Sequence, residues 1–225
     1  AVVYNRREML ELPPLTEKVL GVFAAFHTFN DMTEEELKKR QLPHYSPEAP
    51  TVAEMTKMSL ILLESKGKQF LMVVEEEGSD NFANDNNASG ALTALQRADD
   101  AIGVALGYLA KNPNTLLVTA ADSDACGMQV VNVKDEEEFE QPLTVSLPNG
   151  VPIDGREGTG TLPFVAKPDR NGTELRFAIS WASDDDVAGG VIARAHGMNA
   201  EYLPNNVDNT EIYRLLNRSR FGIAI

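Results

Sequence analysis

The chain has one cysteine, Cys126, in 225 residues, which excludes an intrachain disulfide. That residue reads as a small buried apolar side chain. Its three histidines, His27, His44 and His196, are too far apart in sequence to share a ligand spacing, and each reads as a surface or structural residue. No apolar run approaches the roughly 18–20 residues that cross a bilayer, so no membrane span is expected. Basic residues are in deficit: 20 Lys and Arg face 34 Asp and Glu, for a net charge of −14. Such a chain repels nucleic-acid phosphates, so no nucleic-acid partner is expected. Neither Gly155 to Gly160 nor Gly189-Gly190 continues into the lysine of a phosphate loop, and no G-x-S-x-G elbow is present. The opening Ala1-Val2-Val3-Tyr4 leads straight into Asn5-Arg6-Arg7-Glu8, so these residues are not expected to be a signal peptide. The remaining composition, 43% apolar and 24% charged, is that of an ordinary globular chain with one sizeable core or a core plus a small subdomain.

Regular structure becomes legible from Thr51. Thr51 and Glu54 have the spacing of a capping box, and Val52, Met55, Ser59, Leu62 and Leu63 then share a helical face, which Gly67 ends. Phe70-Leu71-Met72-Val73-Val74 reads as a buried strand of the parallel type. A polar loop, Glu75 to Asn87, follows. Leu92, Leu95, Ala98, Ile102, Ala105, Leu106 and Leu109 mark a second long helix, closed by Asn112-Pro113-Asn114. Thr115 to Ala120 is a further strand, running into Asp122-Ser123-Asp124. Before this core, Thr33 opens a short charged helix through Arg40, and Pro43, Pro47 and Pro50 break the chain. After it, residues 129–180 carry the acidic run Asp135 to Glu138 and two turn signals, Asn149-Gly150 and Asn171-Gly172. Phe177 to Trp181 is a core strand, Val191-Ile192-Ala193 a short one, and Asn209 to Leu216 a final helix. The alternation predicts an α/β fold: a mostly parallel sheet flanked by helices, with a small β-rich excursion over 129–180.

Ligands of open parallel sheets bind beyond the carboxyl ends of strands, and three acidic loops fall at such places. The first, Glu75 to Asn87, is dense in carboxylate and amide oxygens. It lacks the spacing of an EF-hand and suits either a hard cation or a turn-rich surface. The second, Asp122-Ser123-Asp124, can ligate a cation or cap the next element. The third, Ser183 to Asp186, is by itself a solvated turn. Carboxylates brought together repel unless protons or cations neutralise them, so convergence of the three would favour cation binding.

Pro50-Thr51-Val52-Ala53-Glu54-Met55-Thr56 with Phe70 to Glu75 resembles the helix and strand that precede the metal loop of alkaline phosphatases. In that family a Glu is followed, after four residues, by Asp-His and then a further His. Here the same frame holds Glu75, Asp80-Asn81 and Asn84. Ala88 to Leu92 and Asp99 to Ala105 resemble the family's next helix. Thr115 to Asp122 resembles its T-L-V-x-x-T-A-D-H strand, with Ser123 at the His position. Counting back from Ala195-His196-Gly197 puts Asp186-Val187-Ala188 at the family's His-Thr-Gly. Asn209 to Ile212 resembles the start of its closing helix, and Tyr4 to Arg6 with Leu20 to Ala24 the opening stretch.

The resemblance implies an alkaline-phosphatase-like fold, of which residues 1–225 would be a single C-terminal part with 129–180 inserted in it, and hydrolysis of phosphate monoesters through a phosphoserine, with metals clamping the phosphoryl oxygens. Carried over by position, Asp80, Asn84 and Asp186 would hold one metal, Asp122 and Ser123 part of a second, and Glu75 part of a third. Each matched His is replaced by an oxygen-bearing side chain, which implies Mg²⁺, Ca²⁺ or Mn²⁺ rather than Zn²⁺. The family's Asp-Ser-Ala-type nucleophile motif has no counterpart in this chain. The expected partners are therefore an N-terminal segment of the same protein bearing that serine, a phosphate ester substrate and a second copy as homodimer. The resemblance also implies a periplasmic or secreted location. A non-catalytic cation-binding relative, or another hydrolase of the superfamily such as a sulfatase or phosphodiesterase, remains as an alternative.

Overall fold

A computed structural model describes residues 1–134 and 136–223. In chain order the elements are β1 (Val2–Val3), α1 (Arg6–Leu10), β2 (Leu20–Gly21), α2 (Glu34–Arg40), α3 (Val52–Glu64), α4 (Gly78–Asn84), α5 (Ala88–Leu109), β3 (Leu116–Thr119), β4 (Gln129–Asn132), β5 (Ile153–Gly155), β6 (Gly158–Thr159), β7 (Phe164–Val165), β8 (Arg176–Ser180), β9 (Arg194–Gly197) and α6 (Asn209–Phe221).

Helix starts follow the side chains that satisfy their free N–H groups. At α3, Glu54 N donates to Thr51 Oγ1 at 3.1 Å while Thr51 N donates to Glu54 Oε2 at 3.0 Å, the reciprocal pair expected from sequence. At α5 the cap is Asn87, fully buried. Its Oδ1 accepts from Gly90 N at 2.6 Å, and its Nδ2 donates to Met32 O at 2.7 Å. Thr33 caps α2 through Glu36 N at 3.3 Å.

The main core lies where α4, the start of α5, the 125–128 loop and the end of β8 meet. Phe82, Ala83, Ala88, Ala91, Ala94, Cys126, Ile179 and Trp181 form it. Small residues line the α5 face there because the Phe82 ring lies directly on it. A Cβ at Gly90 would sit 2.5 Å from Phe82 Cγ.

The sheets differ from expectation. Among the described residues the only two strands that pair in parallel are β1 and β2, in a two-residue ladder. β3 pairs antiparallel with β9, Leu116 opposite Gly197 and Thr119 opposite Arg194. The excursion is an antiparallel sheet in the order β4-β8-β5-β6, with β7 also on β8. Within this stretch Gly150 and Gly172 take the left-handed φ that their turns require. Phe70 to Val74, expected as a buried parallel strand, carries no regular structure and pairs with no described segment, with Leu71 60% and Val73 85% exposed. Its apolar, β-branched composition favours a strand only where a neighbouring ladder exists, and no described segment supplies one. The short strand expected at Val191 to Ala193 begins later, at Arg194, in register with β3. The loop Glu75 to Asn87 contains α4, because Asp80, Asn81 and Asn84 serve as helix-face residues and not as turn formers. Of the acidic run, Asp135 lies outside the described residues and Glu136–Glu138 form one 3₁₀ turn.

Candidate functional site

Asp80 and Asn84 stand one turn apart on α4 and so share a face. Asn84 Nδ2 donates to Asp80 Oδ2 at 3.4 Å and to Asp186 Oδ1 at 3.2 Å. One amide thus joins the first and third acidic loops across 102 positions of sequence.

Backbone bonds fix this meeting. The 182–187 segment is laced to the 125–126 turn: Ala182 N and Ser183 N both donate to Cys126 O, at 2.9 and 3.2 Å, and Val187 N donates to Ala125 O at 2.9 Å. Cys126 Sγ in turn donates to Ala83 O at 2.7 Å, tying the same turn to α4. Asn86 Nδ2 bridges Ala83 O at 3.2 Å and Ser183 O at 3.1 Å. Two glycines permit the close approach. A Cβ on Gly127 would lie 2.9 Å from Ala182 Cβ, and one on Gly189 would lie 1.6 Å from Asp124 Oδ2.

Carboxylates crowd here. The Asp80 carboxyl is pushed up to about 6, first by burial and then by the charge and hydrogen bond of Asp186, with Asp122 and Glu77 adding. Burial pushes the Cys126 thiol up to about 12, and the charges of Asp80, Asp124 and Asp186 add to it. The thiol is therefore protonated and serves as a hydrogen-bond donor rather than a nucleophile. Beside this cluster, burial and the neighbouring Asp31 raise Asp85 to about 6. Asn84 Oδ1, Asp85 Oδ2 and Asp124 Oδ1 are buried and accept no hydrogen bond from the described residues.

The other expected site residues lie further out. Asp122 is exposed, adds to the field on Asp80, and accepts from Ser123 N at 3.0 Å. The Ser123 hydroxyl is turned onto its own loop, accepting from Ala125 N at 3.1 Å. Glu75 is exposed and lines a separate cavity with Glu76, Glu77, Tyr45 and Arg97. None of His27, His44 and His196 joins the cluster. His27 stacks on Phe29, His44 meets Phe82 edge-on, and His196 lies in β9. Sequence reasoning missed Asp124 and Asn86. Asp124 was visible as the third member of Asp122-Ser123-Asp124. Asn86 carried no signal, since its role is a long-range backbone bridge.

The donors that converge are oxygens and one amide. Among the described residues no group of three or more His, Cys, Asp and Glu side chains is arranged to hold a metal; the third arm of this cluster is Asn84. An amide exchanges its nitrogen and oxygen by a half-turn about its terminal torsion. That turn would present the partnerless Oδ1 to the space between Asp80 and Asp186. The residues therefore fit a hard cation.

Several solved alkaline phosphatases share this fold. The Thermus thermophilus enzyme is 18% identical with a TM-score of 0.68, the alignment covering 97% of this chain and 55% of that one. The cold-active enzyme of a psychrophilic Shewanella is 19% identical with a TM-score of 0.62, covering 96% and 58%. A mutant of the alkaline phosphatase from the Antarctic bacterium TAB5, solved with Mg bound in its M3 site, is 16% identical with a TM-score of 0.54, covering 86% and 51%. The chain thus spans about half the length of these enzymes. No curated protein matches the sequence. A family model described as alkaline phosphatase matches residues 1–219, nearly the whole chain, and the chain therefore belongs to the alkaline phosphatase family.

Proposed function

We propose that this chain is the cation-holding C-terminal portion of an alkaline-phosphatase-like enzyme that hydrolyses phosphate monoesters. The observation that carries the reading is the meeting of Asp80, Asn84 and Asp186 at one buried-edged, electronegative point. In this reading those three residues hold one divalent cation, Asp122 and Ser123 contribute to a second, and Glu75 to a third. A divalent cation there would polarise phosphoryl oxygens as a Lewis acid. The chain's own part is to supply two carboxylates whose mutual repulsion a cation relieves, and to fix them through the Asn84 amide and the Cys126 turn. The all-oxygen donor set favours Mg²⁺, Ca²⁺ or Mn²⁺ over Zn²⁺. The serine nucleophile would come from an N-terminal segment of the same protein. We further propose a periplasmic or secreted location and a homodimer.

A second reading is a cation-binding relative without turnover. It is favoured by Ser123, whose hydroxyl is engaged within its own loop. The deciding assay uses protein extended to include the upstream gene sequence, with chromogenic phosphate monoester, phosphodiester and sulfate ester, and each of the four cations. The expected result is monoester turnover that Asp80→Ala abolishes, with the 225-residue chain silent by itself. Turnover of the sulfate ester or diester alone would move the assignment to those hydrolases. Silence of the extended protein with every cation would favour the non-catalytic reading, and Asp80-dependent turnover by the 225-residue chain would refute the external nucleophile.

A further inference from the structure

The excursion and the acidic cluster join at one side chain. Trp181 follows β8 directly, is buried, and shares the main core with Phe82 and Ala83 of α4, the helix that carries Asp80 and Asn84. The chain then runs on through Ala182 and Ser183, whose N–H groups are bound to Cys126 O, to Asp186 five positions later. Trp181 thus packs with one arm of the cluster through its ring and roots the other through its backbone. The indole is held by Asp154, a fully buried carboxylate on β5. Trp181 Nε1 donates to Asp154 Oδ2 at 2.8 Å. Thr159 Oγ1, directly opposite on β6, donates to Asp154 Oδ1 at 2.8 Å. Among the described residues no Lys, Arg or His lies within ion-pair distance of Asp154. Burial, with Glu35 adding, pushes its carboxyl up, while the Trp181 and Thr159 donors and the Ala88 N–H at the start of α5 hold it down.

An indole N–H needs only one neutral acceptor, which a carbonyl would supply at far lower cost than a buried charge. What a carboxylate adds is a stronger bond of narrower geometry. A charge buried without a cation is a poor way to stabilise a fold, but a good way to hold one ring in one place. We propose that Asp154 is a positioning residue for the cluster: through the Trp181 ring it sets Asp186 against Asp80 and Asn84, so that the antiparallel excursion governs the cation site. The placement stands on the bonds just given; the cation's part in it rests on the proposed function. The path is short and has little slack. The segment that carries Asp186 is fixed at one end by Trp181 in the core and at the other by Val187 N on Ala125 O. Beneath it a Cβ on Gly127 would lie 2.9 Å from Ala182 Cβ and 3.1 Å from Val187 Cγ2, so a turn of the ring must move the segment rather than be absorbed.

The test needs no turnover. It reads the Asn84 side-chain amide, whose Nδ2 bridges Asp80 and Asp186, by NMR of the cation-free 225-residue chain, with the resonance identified by its loss in Asn84→Ala. Asp154→Leu removes both acceptors at similar volume and should shift that resonance. Asp154→Asn keeps an acceptor for the indole and should restore most of its position. Leu147→Ala lies in the excursion's own apolar cluster; it should weaken the excursion and leave the amide in place. Calorimetric titration of Mg²⁺, Ca²⁺ and Mn²⁺ at pH 7 should follow the same order. Affinity should fall about tenfold in Asp154→Leu, the lower end of what losing the group that orients a metal ligand costs, and stay unchanged in Leu147→Ala. An unmoved Asn84 amide in folded Asp154→Leu would overturn the proposal. So would an equal shift in Leu147→Ala, which would make the role one of stability alone. If Asp154→Leu does not fold, Trp181→Phe carries the test: it removes the donor, keeps a ring and should shift the amide, and an unmoved amide there overturns the proposal. If the amide responds as expected while the parent chain binds none of the three cations, the proposed function fails and the positioning stands.

Discussion

Replacing glycine by alanine within α5 should have opposite signs at two positions. In a helix interior alanine is favoured over glycine by about 0.8–1.0 kcal/mol, through backbone entropy. At Gly103 nothing lies within 4 Å of the added Cβ, so Gly103→Ala should gain most of that amount. At Gly90 the same Cβ would stand 2.5 Å from Phe82 Cδ1 and Cγ and 2.9 Å from Asn87 Cγ. Neither neighbour can withdraw easily. Phe82 is fully buried and touches Phe29, His44 and Tyr45, with centroids at 5.4, 5.5 and 5.8 Å; Asn87 is held at both ends of its amide. Overpacking of this kind costs about 1–3 kcal/mol. Set against the helix gain, the net effect of Gly90→Ala is a loss of roughly 0–2 kcal/mol, and the gap between the two variants is about 1–3 kcal/mol. Urea unfolding of both variants beside the parent measures it as a difference in midpoint at constant slope. A Gly90→Ala protein as stable as Gly103→Ala would refute the tight seating of Phe82 on α5, and with it the positioning of α4.

Three further expectations follow from the polar groups. Glu34 is buried and its carboxyl is pushed up to about 7, first by burial, with Asp154 adding and Ser89 N–H partly offsetting. Its folded value lies above the unfolded one, so the native state holds the extra proton. Stability should then fall as pH rises from about 4.5 to 7, by an amount on the order of 2–3 kcal/mol, and Glu34→Gln should flatten that slope in urea titrations. Trp181 Nε1 donates to Asp154 Oδ2 at 2.8 Å inside the core. Trp181→Phe should therefore cost about 1–3 kcal/mol on top of the packing change, and less in an Asp154→Asn background. Protons compete with cations for Asp80, whose carboxyl is pushed up to about 6. Cation affinity should accordingly weaken as pH drops through 6, a trend that calorimetry at pH 5 and 7 would reveal or exclude.

Local chemistry was readable from the sequence where a few neighbouring residues decide the outcome. Thr51 and Glu54 announced the start of α3, and Asn149-Gly150 and Asn171-Gly172 announced the turns of the excursion. Where distant parts decide, single-strand patterns misled. Phe70 to Val74 has a strand's composition without a partner ladder, and Leu116 to Thr119 took an antiparallel neighbour that its own residues do not specify. The stretch Gly78 to Asn84 read as turns because Asn and Asp bond readily to nearby backbone; buried Phe82 and the packing on α5 turned it into a helix. Asp80 and Asn84 were legible as oxygen donors. Placing Asp186 beside them depended on family spacing, because nothing local to Ser183–Asp186 distinguishes it from a solvated turn. The bridges made by Cys126 and Asn86 belong to tertiary contacts alone.

The central claim is that Asp80, Asn84 and Asp186 form a cation site of oxygen character. The most direct measurement is calorimetric titration of Mg²⁺, Ca²⁺, Mn²⁺ and Zn²⁺ into the chain and into Asp80→Ala at pH 7. The claim predicts saturable binding of at least one of the first three, lost in Asp80→Ala. Tight Zn²⁺ binding with no response to the others, or silence with all four, would contradict it.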